Sequence, residues 1–198
     1  MTKIMLHFTI IIFCLILLNG SASYAQNSGW TTFTSNPCKV SISHPADWSV
    51  LEKQGKFDPL GAEFKISSPG GYPLLALVGC TKLPYSSMNS SMNLTQITDI
   101  VKDKTLSTIQ SFPTGSETTV AQDTRVEPGL IGGQDAGVFT FMSKYHNPSI
   151  PNAGMEDYVL VNGDTLYTFS YFDLASTFDS PSNKQIREQM LHSIQFLN

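Results

Sequence analysis

Residues 74–78 read Leu74-Leu75-Ala76-Leu77-Val78, a continuous apolar run that follows Pro73 and ends near Cys80. A run of this length without polar alternation is typical of a central strand whose two faces are both covered. Helices are the elements that cover such a strand in a mixed α/β domain. The run therefore predicts a sheet with helices packed on both of its sides.

A second pattern, upstream of this run, predicts a strand with one buried face. Cys38, Val40 and Ile42 alternate with polar residues, which places Cys38 on the buried face. Further strand-like runs lie at 48–50, 63–67, 118–127 and 134–145. Together these runs predict several strands around residues 74–78.

The clearest local signal is a hairpin in the second half of the chain. Tyr158–Val161 and Leu166–Phe172 are β-rich runs joined through Asn162-Gly163. This pair tolerates the positive φ angles that a type I′ turn requires. Gly132-Gly133 marks another turn, before the strand-like run at 134–145.

Two segments have helical spacing. Apolar residues recur between Leu94 and Ile109, and Asn93 or a neighbour is the expected N-cap. Near the end of the sequence, Ser180-Pro181 offers an N-cap followed by a proline at the first helical position. The residues that then form one apolar stripe are Ile186, Met190 and Ile194.

The N-terminus has the features of a signal peptide. Lys3 precedes the apolar run Ile10–Leu18, and small residues allow cleavage after Ala25. A retained anchor is the alternative, but the run is shorter than the roughly 20 residues that span a bilayer. We therefore expect a leader at residues 1–25 and a single domain at residues 26–198. The domain would be secreted or lie at the extracytoplasmic cell surface, with membrane contact only through an uncleaved leader.

Cysteine usage points to the same compartment. Cys14 lies in the leader, which leaves Cys38 and Cys80 as an even pair in a chain sent to an oxidising space. A disulfide between Cys38 and Cys80 is the favoured prediction. Two buried free thiols that pack as small hydrophobic groups are the alternative.

Charge and composition limit the classes of partner. The formal net charge is −4, with 16 Asp and Glu residues against 12 Lys and Arg. An acidic chain is a poor match for a phosphate backbone, so we expect no nucleic acid partner. The hydrophobic fraction of 41% is sufficient for a buried core, and the length fits one domain.

Four landmarks, taken in order, resemble the PsbP family, best known from the extrinsic subunit on the oxygen-evolving side of photosystem II. They are Val40–Trp48, Gly132–Ala136, Tyr167–Tyr171 and Leu191–Phe196. The resemblance implies an α+β fold, an α/β/α sandwich in which helices cover both faces of a central antiparallel sheet. Similar domains in non-photosynthetic microbes look like exported accessory modules.

A histidine and a carboxylate near the first landmark form the best candidate for chemistry. His44 is followed three residues later by Asp47, and such a pair could bind a metal or move a proton. Such a turn is most often structural, and neither a second His nor a Cys lies at ligand spacing. We therefore expect no catalytic residue, no metal and no cofactor. A hydrolase or metalloenzyme that uses His44 and Asp47 is kept as an alternative.

Carboxylates surround the predicted hairpin and raise the question of calcium. They are Glu156, Asp157, Asp164, Asp173 and Asp179. A hard cation such as calcium could use several of these oxygens, although their spacing is not that of a dedicated calcium loop. Solvated carboxylates on the surface are therefore the favoured interpretation.

Two glycosylation sequons lie in a polar stretch that we expect to face solvent. Asn89 and Asn93 are their acceptor residues. Such triplets arise readily by chance in a sequence rich in Asn, Ser and Thr, so glycosylation at these residues is the weaker prediction.

The lack of a catalytic constellation and the family resemblance favour an exported, non-catalytic binding or assembly module. Its expected partner is a protein or a small ligand at the cell surface. The alternative is a photosystem II-associated subunit that helps to retain calcium or chloride. Against this alternative, Gln26–Pro37 carries no charged residue, whereas the photosynthetic subunit resembles a basic-armed docking protein.

Overall fold

The computed structural model describes residues 29–53, 60–67, 73–83, 92–111, 118–120, 125–145 and 152–197. The strands in these ranges are β1 (Trp30–Ser35), β2 (Val40–Pro45), β3 (Ser49–Lys53), β4 (Leu60–Ser67), β5 (Pro73–Lys82), β6 (Thr118–Val120), β7 (Glu127–Ile131), β8 (Gln134–Tyr145), β9 (Ala153–Asn162), β10 (Thr165–Leu174) and β11 (Gln195–Phe196). The helices are α1 (Leu94–Ser111) and α2 (Pro181–Ser193). The predicted leader at 1–25 and the sequon residue Asn89 lie outside the described residues.

The strands form two antiparallel sheets. The large sheet has the order β3-β4-β5-β10-β9-β8-β6, and β7 also pairs with β8. The small sheet has the order β1-β2-β11. Residues 74–78 lie in β5, between β4 and β10, which confirms the prediction of a central strand.

A disulfide joins the two sheets. Cys38 lies in the turn between β1 and β2, and Cys80 lies in β5. Their Cα atoms are 5.6 Å apart, and both residues are buried. The predicted bridge is confirmed, although Cys38 precedes its strand, because Lys39 has a φ of +52° and β2 begins at Val40.

The small sheet and α2 enclose the main core against one face of the large sheet, termed the small-sheet face. The largest fully buried side chains of this core are Ile42 of β2, Phe64 of β4, Ile131 of β7, Phe169 and Tyr171 of β10, Phe178, and Met190 of α2. Predicted features of α2 are confirmed: Ser180 is the N-cap, Pro181 begins the helix, and Ile186 and Met190 are buried. Ile194 is also buried, but it follows the helix as its C-cap with an extended backbone.

Helix α1 packs on the opposite face, termed the α1 face. Ile97 joins a second apolar cluster with Phe139, Phe141, Met155 and Val159. The contacts of α1 in the described part of the chain are mainly with β8, β9 and β6, at one end of the sheet. Ala76 and Val78 of β5 are buried on the small-sheet face, whereas Leu75 and Leu77 are only half-buried on the α1 face.

The predicted sandwich of helix, sheet and helix is therefore found only in part. A mostly antiparallel β domain with helices is present, but the layer over the small-sheet face includes a second sheet. β11 pairs with β2, so Gln195 lies beside Ser41 although most of the sequence separates the two residues. A strand pattern specifies which residues are buried but not which sheet they join, because pairing between distant strands leaves no local signal.

One of the two hairpin turns differs from the prediction in its position and type, and the other is found where it was predicted. Thr165 pairs with Asn162, so the loop between β9 and β10 is Gly163-Asp164 rather than Asn162-Gly163. Only Gly163 of these two residues has a positive φ, which fits a type II′ turn. The predicted turn at Gly132-Gly133 is confirmed, and its φ values of +54° and +78° fit type I′.

Gly137→Ala is expected to lower the free energy of unfolding by about 1–3 kcal/mol through overpacking. A Cβ atom at Gly137 would lie 2.1 Å from Oγ1 of Thr98, which is fully buried in α1. Urea unfolding measures the change. Gly29→Ala is the control, because a Cβ atom there meets nothing within 4 Å. Equal midpoints for the two variants would show that α1 does not approach β8 this closely.

Candidate binding surface

The α1 face of the large sheet continues beyond the part that α1 covers. One row of directly paired residues crosses this face from the edge strand β3 to β8. The row consists of Leu51, Glu63, Leu77, Ser170, Asp157 and Phe139. Because directly paired residues point to the same side of a sheet, these six side chains share one face.

Exposure is highest at the β3 end of this row and lowest at the β8 end. Leu51 is 55% exposed at the edge, and Glu63, Leu77 and Ser170 are half-buried. Asp157 and Phe139 at the other end are buried. Leu75 and Phe172 form an adjacent half-buried pair on the same face. We term the accessible part of this face, formed by Leu51, Glu63, Leu75, Leu77, Ser170 and Phe172, the open-sheet surface.

Asp157 closes the buried end of the row and has an unusual environment. It is 3% exposed, and the Ser170 side chain is hydrogen-bonded to its carboxyl group. Its Oδ1 atom has no hydrogen-bond partner among the described residues. Burial raises the pKa of Asp157 to about 7, an effect that Ser170 reduces and the charge of Glu156 increases.

The small-sheet face carries a buried ion pair that the sequence patterns did not indicate. Arg187 of α2 lies with its Nε 3.2 Å from Oε1 of Glu156, and the Tyr158 hydroxyl donates a hydrogen bond to the same oxygen. The guanidinium lies 4.9 Å from the ring centre of Phe178 and 5.3 Å from that of Tyr171. These contacts attach α2 to β9 and β10.

The carboxylates around the hairpin are separated by the fold, and three of them are not solvated. Glu156 and Asp157 point to opposite faces of β9, and Asp173 is buried with Asn183 of α2 and Thr177 as partners. Asp164 pairs with Lys82 at the exposed hairpin end, and Asp179 is exposed. The surface interpretation is therefore wrong for Glu156, Asp157 and Asp173. The sequence does not indicate their burial, because neighbouring residues of a strand point to opposite faces and here both faces are covered.

No three His, Cys, Asp or Glu side chains of the described residues cluster as metal ligands. Calcium binding therefore stays a prediction without a ligand set in this part of the chain. Asp164 is exposed at the hairpin end, and its pKa is lowered by the hydrogen bond from Lys82.

His44 and Asp47 occupy different environments. His44 is buried, its Nδ1 lies 2.8 Å from the carbonyl oxygen of Pro45, and its ring packs against Phe64. Asp47 is exposed in the turn that follows β2. The buried imidazole thus has a structural role in the main core, and the hydrolase or metalloenzyme hypothesis stays an untested prediction.

Asn93 is the N-cap of α1, as predicted. Its Oδ1 accepts a hydrogen bond from the Gln96 amide at 3.0 Å, and Oε1 of Gln96 accepts one from the Asn93 amide at 3.0 Å. This reciprocal pair is a capping box. Asn93 is exposed, and glycosylation at this residue stays a prediction.

Neither α1 nor α2, the helices in the described ranges, is long and apolar enough to cross a membrane. No protein-family model matches the chain, and no curated protein matches it in sequence.

Similarity to known proteins is found at the level of structure. The solution structure of cyanobacterial PsbP (CyanoP) from Synechocystis sp. PCC 6803 matches with a TM-score of 0.59 and 12% identity, over 90% of this chain and 99% of that chain. The crystal structure of LpqN, involved in cell envelope biogenesis of Mycobacterium tuberculosis, matches with a TM-score of 0.50 and 10% identity, over 90% of this chain and 97% of that chain. The chain has the PsbP-like fold.

Proposed function

We propose that this protein is an exported, non-catalytic binding or assembly module that binds a protein partner through the open-sheet surface. The observation that carries the proposal is the partly covered α1 face, on which apolar side chains remain accessible beside Glu63 and Ser170. The disulfide supports an extracytoplasmic location, as does the fold shared with LpqN, a protein involved in cell envelope biogenesis.

The shape of the open-sheet surface favours a protein over a small molecule. Small ligands bind in concave pockets that enclose most of their area, whereas this surface is one face of a sheet that ends at an edge strand. A protein interface combines an apolar centre with polar groups at its rim. Leu75, Leu77 and Phe172 supply such a centre, and Glu63 and Ser170 supply polar groups.

Leu51→Asp is expected to weaken partner capture about tenfold or more, because it places an unpaired charge in the apolar contact. The tagged full chain is crosslinked in its native cell envelope, and the yield of each covalent partner band is quantified. Folding should be retained, since Leu51 is already 55% exposed in the free protein.

Leu130→Asp is the matched control. Leu130 is 50% exposed on β7, at the other end of the large sheet. The proposal requires a partner band that Leu130→Asp leaves unchanged and that Leu51→Asp weakens about tenfold or more. A protein that stays solitary under all crosslinking conditions contradicts the proposal, as does a band that Leu51→Asp leaves unchanged. Binding of a small envelope metabolite, measured by fluorescence, would favour a small ligand instead if Leu51→Asp abolished it and no protein band were found.

A further inference from the structure

Asp157 lies in the interface between α1 and the large sheet. Along β9 it is flanked on the same face by Met155 and Val159, and across the strands it pairs with Phe139. These three apolar side chains belong to the cluster that includes Ile97 of α1. A carboxyl group therefore stands in the middle of the apolar contact that holds the helix.

The groups around Asp157 do not compensate a negative charge. From β10 the neutral hydroxyl of Ser170 is its hydrogen-bond partner, and from β8 the facing residue is Phe139. The charge of Glu156, the neighbouring residue on β9, raises the pKa of Asp157 further, and Glu156 pairs with Arg187 on the opposite face.

The charged residues of α1 are either paired along the helix or exposed. Lys102 is the most buried of them, and its Nζ lies 2.6 Å from Oδ1 of Asp99 on the same helix. Asp103 and Lys104 are exposed. Ionised Asp157 would thus keep one carboxylate oxygen buried without a partner, which is costly in an apolar interface.

We propose that Asp157 acts as a proton-dependent clamp, which holds α1 on the large sheet as a neutral acid and releases the helix when it ionises. The proposal goes beyond partner binding, because it concerns the free protein and requires no partner.

The pH range of the clamp follows from the raised pKa of Asp157. Its pKa rises from 3.8 to about 7 in the folded chain, so the closed state keeps a proton that an opened, hydrated carboxyl group loses. Between these two values, a rising pH favours opening by up to about tenfold per pH unit, and the effect levels off above about pH 7.

Amide hydrogen exchange of the full mature chain tests the proposal between about pH 5 and pH 8.5. After correction for the intrinsic exchange rate, protection of the α1 amides is expected to fall by up to about tenfold per pH unit and then to level off. Helix α2 is the internal control, because it packs on the small-sheet face. The proposal is overturned if the protection of the α1 amides is independent of pH. It is also overturned if the α2 amides lose protection to the same extent, because the whole domain would then be opening.

Two substitutions separate the carboxyl group from other causes. Asp157→Asn keeps the shape of the neutral acid, so α1 protection should become independent of pH in this range. Ser170→Ala removes a hydrogen bond that favours the carboxylate. The pH above which α1 protection stops falling should therefore be higher in this variant. If Asp157→Asn retains the wild-type slope, or Ser170→Ala moves the levelling-off downwards, the proposal is wrong. Loss of partner capture in the crosslinking experiment would leave this result unaffected.

Discussion

Glu156→Ala is expected to lower the free energy of unfolding by about 3–5 kcal/mol, because it leaves the guanidinium of Arg187 buried without its counter-ion. Arg187 and Glu156 have side-chain exposures of 6% and 12%, so water replaces little of the lost interaction. The hydroxyl of Tyr158 loses its acceptor in the same step. Urea unfolding at neutral pH measures the change, and hydrogen exchange should show α2 losing protection before α1.

The paired substitution Glu156→Leu with Arg187→Met tests whether the loss comes from the uncompensated charge. Replacing both members of a buried ion pair by apolar groups is often neutral or stabilising. The double variant should therefore recover most of the stability that Glu156→Ala loses. Asp164→Ala removes one member of the exposed pair with Lys82, so its effect should be far smaller. If Glu156→Ala has no larger effect than Asp164→Ala, the ion pair does not secure α2.

Local sequence signals predicted the elements whose chemistry is local. Ser180-Pro181 begins α2 because the serine side chain accepts a hydrogen bond from the Asn183 amide and proline has no amide hydrogen to satisfy. Asn93 caps α1 by the same logic. The apolar run at 74–78 is a central strand, since its backbone pairs with a neighbour on either side.

Features that depend on distant pairings could not be predicted in this way. The apolar run indicated two covered faces, but Leu75 and Leu77 are only half-buried, because α1 packs mainly on β8, β9 and β6, and the position of a helix along a sheet leaves no local signal in the sequence. The ion pair joins Arg187 of α2 to Glu156 of β9. An arginine or a glutamate in a sequence does not by itself indicate whether its side chain is buried in an ion pair or exposed to water. The prediction of a solvated Asp157 is wrong for the same reason.

The hairpin turn shows how a correct element can have the wrong details. Gly163 provides a positive φ in either turn type, so the glycine alone fixes the presence of the turn and not its type. The register is set by the pairing of β10 with β5 as well as with β9. With Asn162-Gly163 as the loop, Phe169 would pair with Glu156 instead of Tyr158 and would stay on the same face of β9, so the alternation of buried side chains does not by itself select between the two loops.

Replacing Cys38 and Cys80 together by serine is expected to lower the free energy of unfolding by roughly 4 kcal/mol, because the unfolded chain loses a closed loop. The two residues are 42 positions apart, which is the loop length on which this value rests. The bridge also connects β5 to the turn that precedes β2, so its loss should weaken the contact between the two sheets. Fluorescence of Trp48, which is buried in the main core, reports that contact during urea unfolding.

The oxidised wild type in the presence and absence of a reducing agent provides the control for the double serine variant. Reduction should shift the wild-type midpoint towards that of the variant, and it should leave the variant unchanged. Because both sulfur atoms belong to buried residues, reduction should be slow unless mild urea is present. A loss below about 1 kcal/mol in the double variant would show that the small sheet is held on the large sheet by its apolar core alone, without a contribution from the bridge.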